Sequence, residues 1–136
     1  MLLRLLVGAF IVLHGLVHLL YFGQSRRLFE LQPDMAWPDG SWAFSRLLGK
    51  ETTRWLAAIA CMLATIGFVV GGAAILLGQA WWRPVVVGAA AFSATIWLLF
   101  WDGTRQMLAN QGAIALLINL AILVLVLVFQ WPDFGF

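Results

Sequence analysis

The chain is poor in charge, in cysteine and in acids within its apolar runs. Only 10% of its 136 residues are Asp, Glu, Lys or Arg, against 63% hydrophobic, and mean hydropathy is +0.96. A soluble domain of this size does not need so much apolar surface, whereas a lipid-facing bundle does, so composition points to an integral membrane protein. A single cysteine, Cys61, excludes an internal disulfide and any CxxC redox pair. The net charge of +2 comes from scattered bases, which excludes nucleic acid as a partner. No Asp or Glu lies within the apolar runs, which disfavours proton-coupled transport, whose usual device is an embedded carboxylate.

What is present is four apolar stretches, at about residues 2–22, 53–78, 84–101 and 112–131. Their lengths predict an all-α fold, one transmembrane domain over residues 1–136, built as an integral membrane four-helix bundle. The first stretch carries both histidines of the protein, His14 and His18. At helical spacing Arg4, Val7, Ile11, His14, His18, Tyr21 and Ser25 share one side, and the other side is Leu, Val, Ala and Phe. A polar stripe on a spanning helix turns toward other helices, because polar groups facing lipid cost free energy. Cleavage of this stretch as a signal peptide is not expected, since His14, His18 and Tyr21 stand where small cleavage-site residues would be needed.

Between the first two spans lies one long connection, residues 23–52, containing Pro33, Pro38, Gly40, Gly49, four acids and four bases, with Trp37, Trp42 and Phe44 among them. Two readings are open: an ordered segment on the membrane interface, with Ser41 capping a short helix to Gly49, or a surface loop. The remaining connections are short. Trp81 and Trp82 mark one turn, Pro84 fits a first helical turn, and Asp102-Gly-Thr-Arg-Gln forms the other. Arg26, Arg27, Arg46, Lys50, Arg54 and Arg105 fall on the side of the long connection, and Arg4 and Arg83 on the side of the termini. That asymmetry places the long connection in the cytoplasm and both termini outside the inner membrane.

Depth along the helices groups the polar residues. His18 and Asp102 fall near one rim, and His14, Thr95, Cys61 and Asn119 about 10 Å deeper, each from a different helix. Gly88, Ala91, Thr95 and Asp102 share a face of the third helix; Arg54, Ala58, Cys61, Thr65 and Gly72 share one of the second. The expected site is thus a polar pocket of His14, His18, Tyr21, Cys61, Thr65, Thr95, Asp102 and Asn119. Within it His14 should meet Asn119 or Thr95, and His18, being wetter, should meet Asp102. Histidines four apart can share a metal, but the third ligand would have to be Asp102. Haem ligation by both is excluded because they lie on one helix, leaving Met62 or Met107 as a second axial ligand. Cys61 lies at the depth of His14, and a lone buried cysteine is ordinarily packing. No catalytic residue and no cofactor is assigned. Against all of these stands interhelical hydrogen bonding that fixes helix register.

The run Leu2-Leu3-Arg4-Leu5-Leu6-Val7-Gly8 followed by Leu13-His14-Gly15-Leu16-Val17-His18-Leu19 resembles the opening helix of a group of small four-span bacterial membrane proteins. Leu99-Phe100-Trp101-Asp102 and the stretch from Ala109-Asn110 to Asn119 are similar to the same group. More loosely the chain resembles DoxX-like membrane proteins, in which the position of His18 is usually Lys. The resemblance implies the four-span fold and covers the helical part, but not the long connection. The resulting expectation is a small membrane binding or accessory protein, holding a lipophilic ligand or a larger complex. The alternatives are a redox- or metal-linked protein using His14, His18 and Asp102, and a small dimeric exporter. Membrane lipid is an expected partner. The pairs Gly67/Gly71 and Ala89/Ser93 suit close helix contact, in a homo-oligomer or with another membrane protein.

Overall fold

The computed structural model describes residues 1–105, 108, 109 and 111–136, and no strand occurs among them. The chain forms α1 (Leu2–Ser25), α2 (Ser45–Leu76), α3 (Trp82–Phe100) and α4 (Ala113–Leu123), the last continued by a π-helical turn, Val124–Val128. The first three are long and apolar enough to cross a membrane; α4 with its extension, Ala113–Val128, is a shorter apolar helix. The chain is therefore an all-helical bundle of membrane type.

The helix ends follow from local chemistry. After α2, Gly78 adopts φ +70, and the N–H groups of Gly78 and Gln79 donate to the Ile75 and Ala74 carbonyls. This paired closure satisfies carbonyls the helix leaves open. α1 closes the same way, with Arg27 at φ 57 in the place glycine usually takes: Arg27 and Leu28 N–H donate to the Gln24 and Gly23 carbonyls. That extends α1 three residues past its apolar run. α2 starts earlier than its apolar run as well. A helical turn from Ser45 precedes Gly49, whose φ of 78 breaks the helix before the long span begins. The Ser41 Oγ accepts the Phe44 N–H at 3.2 Å just ahead of that turn.

The connection between α1 and α2 is ordered by buried anchors. Gln24, fully buried, donates Nε2 to the Met35 and Trp37 carbonyls and accepts the Leu31 N–H. Ser41 Oγ and Trp42 Nε1 donate to the Leu99 and Leu98 carbonyls, and Trp42 N–H to that of Trp101. These are carbonyls from the last turn of α3, so the connection caps that helix. Arg54 grips Asp39 with two bonds, Nε to Oδ1 at 2.7 Å and Nη2 to Oδ2 at 2.6 Å, and Arg27 reaches Oδ2 at 2.9 Å.

Helices pack in chain order. Gly8 and Gly15 let α1 approach α2 closely: a Cβ on Gly72 would stand 2.9 Å from the Gly8 carbonyl, and one on Gly15 2.6 Å from Phe68 Cβ. Gly67 and Gly71 meet Ala89 and Val86 of α3 in the same manner. The small residues read as association surfaces are thus consumed by contacts inside the chain. α4 packs along α3, and no extended backbone contact joins it to α1. The outer faces stay apolar and exposed, Leu13, Leu117 and Val128 among them, as lipid-facing surfaces do.

Candidate functional site

α1 turns the stripe of Ile11, His14 and His18 inward, and all three are buried. The two imidazoles sit edge to face at 5.4 Å, with Phe68 of α2 packed against both. From there a chain of buried hydrogen bonds crosses the bundle. His14 Nε2 lies 2.8 Å from Asn119 Oδ1 on α4. Asn119 Nδ2 donates to Ser93 Oγ on α3 at 2.8 Å, and that oxygen lies 2.7 Å from His18 Nε2. His18 Nδ1 closes the circuit at 3.1 Å from the His14 carbonyl.

The chemistry of these groups fixes the direction of every bond when both imidazoles are neutral. A carbonyl only accepts, so His18 Nδ1 carries the proton and Nε2 accepts from the Ser93 hydroxyl. The Ser93 oxygen then accepts from the Asn119 amide, whose own oxygen accepts from His14 Nε2–H. The circuit pairs the polar atoms it joins at a depth where stranding one would be costly. It also does what backbone packing does not: it bolts α4 to α1.

Two cavities flank this bolt. On the side of the long connection, a space of about 40 Å³ is lined by His18, Tyr21, Cys61, Ser93, Trp97 and Asn119, with others. On the side of the termini, a crevice of about 270 Å³ runs between α1 and α4. Its floor is buried Ile11, Ile75, Trp82, Val86, Ile122 and Val126, and its lips are exposed Leu6, Phe10, Leu125 and Trp131. Such a crevice opens sideways, toward the surface where lipid would lie. Leu125 and Val126 belong to the π-helical turn, a widened helical geometry that recurs at functional sites.

Of the residues expected to gather, His14, His18 and Asn119 do, and Tyr21 and Cys61 line the small cavity beside them. His14 meets Asn119, one of the two partners that depth suggested. Thr65 is buried, with its hydroxyl on the Cys61 carbonyl at 2.9 Å. Two placements need correction. Thr95 faces outward, because its hydroxyl bonds the Ala91 carbonyl at 2.8 Å and needs no other helix. The inward face of α3 is Val86, Ala89, Ala90, Ser93 and Phe100 instead. Asp102 does not reach His18: it binds Thr104 and Gln111 at the rim, while His18 is as buried as His14 and held by Ser93. Among the described residues no three His, Cys, Asp or Glu side chains gather as a metal set. Met107 lies outside the described residues.

Ser93 is the member that sequence reasoning missed. Its signal was present in the spacing of Val86, Ala89, Ala90, Ser93 and Phe100, a small-residue face with one hydroxyl. Electrostatics outside the spans centre on Asp39. Burial by itself would raise its carboxyl, but hydrogen bonds and charge from Arg54 and Arg27 outweigh that and hold it below its ordinary value. Comparison of the chain with protein-family models, with curated proteins and with solved structures finds no match.

Proposed function

We propose that this small membrane protein binds a lipophilic ligand, whose chain lies in the crevice between α1 and α4. The supporting observation is the crevice itself: a buried apolar floor and exposed apolar lips, held by the His14–Asn119 bolt rather than closed by helix packing. Its volume of about 270 Å³ falls just below the roughly 300–1,000 Å³ of small-molecule pockets. α4 is read as a fourth span: Ala113–Val128 rises about 24 Å and Trp131 follows at the interface. The basic side chains of the long connection favour a cytoplasmic location for it in the inner membrane, with both termini outside. The histidines act as structure in this reading, setting the width of the crevice.

The test is lipid retention. Protein purified in mild detergent should carry co-purifying lipid detectable by native mass spectrometry, and Val126→Trp, which fills the floor, should lose it. Leu125→Trp at the lip, less demanding of the fold, should lose it in part. Retention indifferent to both substitutions would overturn the reading.

A further inference from the structure

The crevice ends beside a second recess, and the two differ in chemistry. About 400 Å³ in volume, the recess is lined by Met1, Leu3, Arg4, Asp133, Phe134 and Phe136. Arg4 stands on the same stripe of α1 as Val7 and Ile11, one turn nearer the start, and those two line the crevice. Across from α1, Trp131 and Pro132 line the crevice and Asp133 and Phe134 the recess. Phe134 rests on Trp82 of the crevice floor, ring centres 5.5 Å apart. Trp81 and Trp131, both exposed, lie at this end of the bundle, the level at which aromatic side chains meet lipid headgroups.

The charges of the recess are uncommitted. Arg4 Nε is buried with no hydrogen-bond partner, and the guanidinium stands 6.0 Å from the Phe136 ring centre. The ion pairs of the described residues lie elsewhere, at Arg26, Arg27 and Arg54. Asp133 is exposed and accepts the Gly135 N–H at Oδ1. Arg83, at the same end, is occupied by Gln130 and the Pro132 carbonyl. Arg4 and Asp133 therefore face the same recess without pairing with each other.

We infer that the recess binds the headgroup of a phospholipid bearing a primary ammonium, with Arg4 on the phosphate and Asp133 on the ammonium. This rests on the reading of the crevice as the seat of the chain. A guanidinium matches a phosphate with paired N–H donors, and an ammonium offers N–H groups that a carboxylate accepts. A purely anionic headgroup would satisfy Arg4 but meet repulsion from Asp133. A choline headgroup has the charge but no N–H to donate.

The experiment titrates purified protein with dioleoyl phosphatidylethanolamine, phosphatidylcholine and phosphatidylglycerol, reading bound lipid by native mass spectrometry. Wild type should hold the ethanolamine lipid most tightly. Arg4→Gln should weaken it about tenfold, the loss of one charge-assisted contact. Asp133→Asn should weaken the ethanolamine lipid and strengthen the glycerol lipid, reversing their order. Asp133 is exposed, and thermal unfolding in detergent checks that Arg4→Gln keeps the fold. Equal affinity for the ethanolamine and glycerol lipids in wild type, or an unchanged order in Asp133→Asn, would overturn the inference while Val126→Trp still abolished binding. Binding insensitive to Val126→Trp would overturn the crevice reading and the inference with it.

Discussion

His14 on α1 and Asn119 on α4 meet at 2.8 Å, between two helices that no extended backbone contact joins. Interhelical hydrogen bonds of this kind contribute roughly 0.6 to 2 kcal/mol in membranes. A double-mutant cycle of His14→Leu and Asn119→Leu, measured by thermal unfolding in detergent, should return a coupling in that range. Additive losses would show that α1 and α4 do not depend on each other.

Ser93 and Thr95 offer a sharper contrast, since they lie two residues apart on one helix. Ser93→Ala removes the hydroxyl that serves both Asn119 and His18, and should destabilise the bundle by about 1–3 kcal/mol by stranding buried groups. Thr95→Ala removes a hydroxyl bonded to its own helix and should change stability by less than about 0.5 kcal/mol. The same unfolding assay reads both, and equal effects would contradict the placement of Ser93 at the centre.

The Asp39 cluster carries the pH dependence of the long connection. Its carboxyl is held below its ordinary value in the folded chain, so the stabilisation is present above the unfolded value of about 3.9 and is lost as pH falls through the folded one. Hydrogen exchange at the Leu31 amide, corrected for its intrinsic rate, should stay slow from neutral pH down to about pH 4 and quicken only below. Asp39→Asn should exchange faster at neutral pH and lose most of that acid response. Arg26–Glu51, with the Glu51 side chain 66% exposed, should add little.

Orientation is checked with single cysteines in a Cys61→Ala background. Leu47→Cys and Gln79→Cys occupy exposed positions at opposite ends of α2. A membrane-impermeant thiol reagent added to intact cells should label position 79 and spare position 47. The reverse pattern would invert the topology and leave the bundle as described.

The helices were legible in the sequence because hydropathy and length report lipid-facing surface directly. The partner of His14 was legible as far as Asn119 or Thr95, since a polar stripe and matching depth leave a buried imidazole few partners. The face of α3 was not. Thr95 is the more polar-looking residue at the right depth, yet a threonine can satisfy itself on its own helix, and the smaller Ser93 among alanines takes the inward position. The crevice was also illegible: its lining is ordinary Leu, Ile, Val and Trp drawn from four helices and the tail. Two of its residues, Leu125 and Val126, sit in the π-helical turn, a backbone feature that hydropathy does not encode. Gln24 reads in the sequence as a polar residue at the start of the long connection, and only the fold shows it pinning that connection from within.

Occupancy of the crevice between α1 and α4 by a lipid chain can be read by photo-crosslinking. Protein in vesicles containing a phospholipid with a mid-chain diazirine is irradiated, and adducts are mapped by peptide mass. A lipid chain seated there should give adducts concentrated on Val7, Ile11, Ile122 and Val126. Adducts spread over the outer positions Leu13, Leu63, Leu98 and Leu117, with no excess in the crevice, would contradict it.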